Sequence, residues 1–292
     1  MGPAVGRLTD GLARWTHRAA FLVAARRAVR RLAQDDTDGA RTIADAVNRV
    51  LTDTIDSVSR EWFERIERLR SDLTCDVSTV VYVDYGSGSR TAAQAGALRR
   101  DHELDAAAAP PAPATVQRRV NALARSSAPR HEAAVLHSLV RSARSVSCLE
   151  LGTCLGISAA YLGSAAHVNG DGRVVSIEGG AAVAERARAN LTSLGLSNVI
   201  VETGTFDTAL PEVMKTHEPF DFAFLDGHHD PDATLRYWHL LKPSLSPRAL
   251  VVVDDIAWST GMRKAWRQLR VDPSVAVAAD LLTFGICSVD KT

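Results

Sequence analysis

Cysteine is scarce in this chain and nowhere clustered. Cys75, Cys148, Cys154 and Cys287 are spread over 292 residues with no CxxC pair, so no disulfide framework is expected. Cys148 and Cys287 lie inside apolar runs and read as small core residues. An excess of one charge is missing as well. The 34 basic and 34 acidic side chains cancel, which argues against a protein that works on nucleic acid. Long apolar runs are also absent, none approaching the roughly 18–20 residues that span a bilayer. The apolar stretch from Ala19 to Ala25 is short, has arginines on both sides and lacks a signal-peptide layout. A cytoplasmic protein without stable membrane insertion is the expectation. What is present is ordinary for a globular enzyme, with 46% hydrophobic and 23% charged residues. The charge balance is local, however: residues 1–33 carry seven arginines against the single Asp10.

Residues 8–33 read as a helix whose apolar stripe runs through Leu12, Trp15, Ala19, Leu22 and Val23. Such a stripe packs on the main domain or on a second subunit, and a homodimer through residues 1–70 is one expectation. A membrane-surface helix is the competing reading, weakened because Arg14, Arg18 and Arg26 are spread around the helix. After the polar break Asp35–Gly39, helical periodicity resumes over 40–73. Val77 to Val83 looks like a short strand that ends in the turn Asp84-Tyr85-Gly86-Ser87-Gly88-Ser89-Arg90. Residues 91–115 include Pro110, Pro111 and Pro113, which forbid a continuous helix and predict a loop or linker. From about residue 117, short apolar strands alternate with amphipathic helices. That pattern predicts an α/β fold, a mostly parallel sheet covered on both faces. Val275–Ala279 and Leu282–Val289 break it as consecutive β-like runs, which predicts a hairpin and an antiparallel last strand. The expected division is 1–75 as a helical extension, 76–116 as strand, turn and linker, and 117–292 as the catalytic domain.

In an open parallel sheet, ligands sit beyond the carboxyl ends of the strands, where strand order reverses. The strand Val146–Leu151 runs directly into Gly152-Thr153-Cys154-Leu155-Gly156. A glycine there permits a tight turn and close ligand approach, and the following helix presents free N–H groups. The spacing is E-x-G-x-x-x-G from Glu150, not the G-x-G-x-x-G of a dinucleotide site. The next strand, Val174–Glu178, ends in an acid able to bind both ribose hydroxyls of a nucleoside. Together these features predict a nucleoside-containing cofactor.

Asp226 ends the strand Phe220–Asp226, and Asp254 with Asp255 ends the strand at 248–254. On one rim of a parallel sheet the three carboxylates would repel one another unless protons or a cation intervene. Oxygen ligands of this kind favour Mg²⁺, Ca²⁺ or Mn²⁺.

Taken together, the segment Leu149 to Ser158, the acid Glu178 and the terminal hairpin resemble a class I S-adenosylmethionine-dependent methyltransferase. Within that superfamily, residues 117–292 are similar to bacterial relatives of catechol and caffeoyl-CoA O-methyltransferases. The resemblance implies a Rossmann-like sheet with S-adenosylmethionine as cofactor. It implies that Glu150, Gly152, Thr153, Gly156 and Ser158 form the methionine end of the cofactor site, and Glu178 with Gly179 the ribose end. Gly204, Phe206 and Asp207 would line the adenine, with Asp207 toward its amine. Asp226 and Asp254 match two metal-binding aspartates of those relatives, while Asp255 replaces an asparagine. The resemblance therefore leaves two arrangements open. One is a divalent ion such as Mg²⁺ on Asp226, Asp254 and Asp255. The other is metal-free, with Asp255 capping the next helix and Asp226 facing the cofactor's sulfonium.

His229 takes the place of a lysine that the family often carries after the fourth-strand acid. It is read as the general base, or else as a residue orienting Asp226 or the acceptor. His228 is assigned to adenine packing. Trp258, after the fifth strand, would border the acceptor pocket together with His229 and Tyr85, the latter in a segment that resembles a lid. The expected reaction is O-methylation of a small or medium-sized molecule. N- or carboxyl-methylation of a peptide or carbohydrate precursor, and non-catalytic S-adenosylmethionine binding, are the alternatives.

Overall fold

The computed structural model describes residues 3–85, 113–170 and 172–291, with side chains from Thr16 onward. The segment 86–112, which holds the Gly86–Arg90 turn and the proline-rich stretch, lies outside the described residues, as do the side chains of Leu12, Arg14 and Trp15. Three helices open the chain, α1 (Pro3–Leu32), α2 (Asp38–Leu51) and α3 (Ser57–Cys75). The periodicity over 40–73 is thus two helices rather than one. Asp53, at φ 54°, turns the chain between them. Thr37 caps α2 by accepting the Ala40 N–H at 3.2 Å, and Asp56 caps α3 by accepting that of Ser59 at 2.9 Å. Each satisfies a backbone donor that a helix start leaves orphaned.

Next come β1 (Thr79–Asp84) and β2 (Ala114–Arg119), an antiparallel pair running from Thr79↔Arg119 to Asp84↔Ala114. Then follow α4 (Val120–Ser126), α5 (Arg130–Ala143), β3 (Ser147–Leu151), α6 (Ile157–Val168), β4 (Arg173–Glu178) and α7 (Ala181–Ser193). The chain continues through β5 (Val199–Thr203), α8 (Phe206–His217), β6 (Phe220–Leu225), α9 (Pro231–Leu241) and β7 (Leu245–Val253). It ends with α10 (Thr260–Leu269), β8 (Val275–Leu281) and β9 (Phe284–Val289). The strand order in the main sheet is β5-β4-β3-β6-β7-β9-β8. β3 to β7 are parallel, and β9 runs antiparallel between β7 and β8, as the consecutive β-like runs predicted.

Strand side chains alternate between faces, and here both faces are apolar. Cys148, Phe222, Phe224, Leu250 and Val252 face α1, α2, α5 and α6. Leu149, Ala223, Leu225, Val251 and Val253 face α8, α9 and α10. The N-terminal helices are therefore one lid of the sheet. Among the described side chains of α1 the buried ones are Phe21, Ala25, Ala28 and Leu32, a helical i, i+4, i+7, i+11 series. The expected stripe was offset from this one, since Val23 is 47% exposed. That face is spent on the chain's own core. Among the described residues no helix is long and apolar enough to cross a membrane.

β3 pairs with β4 on one side and β6 on the other, so the strand order reverses at β3. The ladder continues past the strand ends. Gly152 N–H donates to Ile177 O at 3.0 Å, Asp226 N–H to Leu151 O at 2.9 Å, and Asp254 N–H to Leu225 O at 2.9 Å. Backbone pairing alone thus brings Gly152, Glu178, Asp226 and Asp254 to one rim.

Candidate active site

A cleft of about 340 Å³ opens over this rim, within the range of small-molecule sites. At its centre Gly152 adopts φ 104°, and a Cβ there would lie 2.0 Å from the carbonyl oxygen of Asp226. Both facts exclude a side chain at this position. Glu150, Thr153 and Gly156 support the turn from behind and are not on the cleft wall. Ser176 Oγ–H donates to the fully buried Glu150 carboxylate, and Thr153 and Ser176 join their hydroxyls. Burial raises the Glu150 carboxyl to about 7, against the opposing pull of hydrogen bonds from Ser158 and Ser176. Gly156 N–H closes the turn onto Thr153 O at 2.8 Å. Ser158, in the first turn of α6, does reach the cleft.

On the next strand Glu178 lines the cleft, its carboxylate accepting the N–H groups of Cys154 and Gly180, both at 2.8 Å. Burial raises its carboxyl above the usual range although these bonds oppose the shift. The Cys154 contact, which joins the turns after β3 and β4, carried no signal in the sequence. The Tyr85 ring packs over Gly179. Gly204 and Phe206 complete this end. Phe206 is both cleft wall and core: it is 8% exposed, and its ring stands edge-on to His228 and Tyr237 at 5.2 and 5.4 Å. Asp207 differs from expectation. It is exposed and faces Arg236 at 3.3 Å, away from the cleft wall, because the first turn of α8 carries consecutive residues about 100° apart.

The two histidines do different things. His228 Nε2 lies 3.0 Å from the Tyr85 carbonyl, which can only accept, and Nδ1 lies 3.0 Å from the Tyr237 hydroxyl. A neutral ring with the proton on Nε2 satisfies both contacts, so His228 ties the β1 end to the core. His229 Nδ1 lies 3.2 Å from Asp255 Oδ2, and its ring sits 5.3 Å from that of Trp258 at a 32° tilt. A carboxylate on Nδ1 holds the proton there and assigns the acceptor lone pair to Nε2.

Asp226 and Asp254 share the floor of the cleft with Asp255. Burial, then Asp255 and Glu150, raise the Asp226 carboxyl well above its ordinary value. Burial, then Asp226 and Asp255, do the same to Asp254. Burial and mutual repulsion thus disfavour three charges side by side unless protons or a cation offset them. Asp255 accepts neither helix-capping duty, which Ser259 performs for α10 by accepting the Met262 N–H at 3.0 Å, nor a place in a tight oxygen cluster. Among the described residues, the group of three ligating side chains whose donor atoms lie within 4.8 Å of one another is elsewhere, at His17, His131 and Glu132. The trio Asp226, Asp254 and Asp255 therefore does not fit a three-ligand cation site as arranged. Glu132 is a second residue that the sequence did not single out. It is buried on the cleft wall and accepts the Thr283 hydroxyl at 2.8 Å.

A family model described as a methyltransferase domain matches residues 149–256, from β3 to the loop after β7. The chain thus carries a methyltransferase domain, with the class I S-adenosylmethionine-dependent fold and activity. Among solved structures it is similar to the O-methyltransferase TomG from Streptomyces achromogenes, described as in complex with SAM. That match has 26% identity over 56% of this chain and 82% of that one, with a TM-score of 0.50. It also shares its fold with cofactor-bound Rv0187 from MTB, at 23% identity over 57% and 83% of the two chains and a TM-score of 0.50. No curated protein matches the chain. The methyltransferase sheet accounts for the terminal hairpin and for the cleft at the β3/β6 reversal.

Proposed function

We infer that the enzyme methylates a hydroxyl oxygen of a small or medium-sized acceptor, with His229 as general base and Asp255 holding its ring. The observation that carries this reading is the 3.2 Å contact of His229 Nδ1 with Asp255, on the wall of the cleft that Gly152 and Glu178 also line. The similarity to an O-methyltransferase supports the oxygen acceptor.

The cofactor supplies an electrophilic methyl group on a sulfonium. In the proposed arrangement Gly152 and Ser158 hold its methionine end, Glu178 and Gly179 its ribose, and Gly204 and Phe206 its adenine. Glu150, Thr153 and Gly156 support the turn, and Asp207 is left out of the adenine contact. The acceptor enters between Trp258, Tyr85 and the wall of β1, β2 and α4. His229 Nε2 takes the acceptor's proton as its oxygen attacks the methyl carbon and the carbon–sulfur bond breaks. The methylated acceptor and S-adenosylhomocysteine leave, and His229 returns its proton to water. Asp255 stabilises the imidazolium formed in between. In this reading protons rather than Mg²⁺ relieve the repulsion between Asp226 and Asp254, whose carboxyls burial already raises.

The test is transfer of labelled methyl groups to a panel of phenols, catechols and sugar alcohols, with and without added Mg²⁺. The reading expects product with wild type, a rate lower by about 10²–10³-fold with His229→Ala, and rates that do not respond to Mg²⁺. Full activity in His229→Ala, or a strict Mg²⁺ requirement, would overturn it.

A further inference from the structure

Outside the reaction rim, α1 crosses the start of α5 and places two imidazoles and a carboxylate together. His17 Nε2 lies 3.6 Å from Glu132 Oε1, and His131 Nε2 lies 4.0 Å from the same oxygen. The ligand atoms of all three fall within 4.8 Å of one another. Tetrahedral coordination with bonds of 2.0–2.1 Å sets ligand atoms about 3.4 Å apart. The observed spacings therefore need only small side-chain adjustments. Two imidazoles with one carboxylate are a donor set that suits Zn²⁺ and its neighbours, not Mg²⁺.

The surroundings favour a metal over a simple ion pair. His131 Nε2 is buried and has no hydrogen-bond partner among the described residues. Phe21 packs edge-on against that ring at 4.8 Å. The Thr283 hydroxyl orients Glu132 from behind, as groups behind a metal ligand commonly do. Glu132 also adds to the negative charge that Asp226 and Asp254 experience, which a cation would offset. Arg18 is the opposing charge.

We propose that His17, His131 and Glu132 bind one Zn²⁺ ion that ties α1 to α5 beside the cleft. The site shares only the Glu132 wall with the cleft and does not depend on which acceptor is used. The test uses the full chain, stripped by a chelator and dialysed. Zn²⁺ alone is titrated by calorimetry into wild type, His17→Gln, His131→Gln and Asp254→Asn, all checked for fold by circular dichroism. One-to-one binding is expected, weakened roughly tenfold or more by either histidine substitution and unchanged by Asp254→Asn. Co²⁺ in place of Zn²⁺ should give visible d–d absorption that His131→Gln removes. If His131→Gln fails to fold, His17→Gln, at a side chain 24% exposed, decides alone. Equal affinity in wild type and the folded histidine variants, or no Zn²⁺ binding by folded wild type, would overturn the proposal.

Discussion

The two halves of the cleft are built differently. The half proposed for the cofactor comes from two successive strand ends. Gly152 turns against the Asp226 carbonyl, and Glu178 grips the Cys154 and Gly180 amides. Its geometry is held by backbone, so the freedom to substitute is small. The half proposed for the acceptor is assembled from distant segments: Tyr85 from the end of β1, Glu132 from α5, His229 after β6, and Asp255 with Trp258 after β7. There the contacts are between side chains, such as His229 with Asp255. A fixed cofactor site and an acceptor wall gathered from elsewhere would allow one chemistry to meet many acceptors.

The sharpest way to break this comparison is Gly152→Ala. A Cβ 2.0 Å from a carbonyl oxygen, at φ 104°, should cost more than about 2 kcal/mol and abolish cofactor binding. Thermal melting and calorimetry check it, and a stable, binding-competent variant would show that the turn is not rigid. On the acceptor side, His229→Ala should lower kcat by about 10²–10³-fold while cofactor affinity stays within about twofold. Asp255→Asn should cost less, roughly tenfold in kcat, because the base remains and only its orientation suffers. A matching loss of cofactor affinity in either variant would erase the distinction between the halves.

Glu150 gives a pH signature to the cofactor half. Its folded carboxyl, raised from 4.5 to about 7, binds its proton more tightly than in the unfolded chain. Its contribution is therefore fully present below 4.5 and is lost as pH rises toward 7. Relative to wild type, Glu150→Gln should gain stability over that window, levelling off at about 3 kcal/mol. Urea unfolding across the range measures it, and a pH-independent difference would contradict the shift. The smallest effect belongs to Asp207→Asn. Because Asp207 faces Arg236 in solvent, cofactor affinity should change by less than about twofold. A larger loss would return Asp207 to the adenine site.

The same contrast explains what the sequence disclosed. The strand-turn-helix at 147–157 and the acid at 178 were legible because their signals are local: apolar alternation, a glycine after a strand, an acid at a strand end. The terminal hairpin was legible because two β runs had no helix between them. The buried face of α1 was misplaced because Ala25 and Ala28, rather than the larger Leu22 and Val23, meet the sheet. Small residues give weak hydrophobic patterning but allow close helix approach. β2 was missed because Ala114–Arg119 follows a proline-rich stretch and is largely exposed, so only its partner β1 defines it. Glu132 could not be found from sequence. Its neighbours His17 and Thr283 are remote in the chain, and only packing brings them together.

The central claim is the cofactor site at the β3 and β4 ends, and calorimetric titration of S-adenosylmethionine into wild type and Glu178→Ala tests it most directly. The account predicts one-to-one binding to wild type and a loss of roughly tenfold or more when the charged ribose contact is removed, in line with about 1.5–3 kcal/mol for a hydrogen bond to a charged group. Equal binding by the two proteins, or no binding by folded wild type, would contradict it.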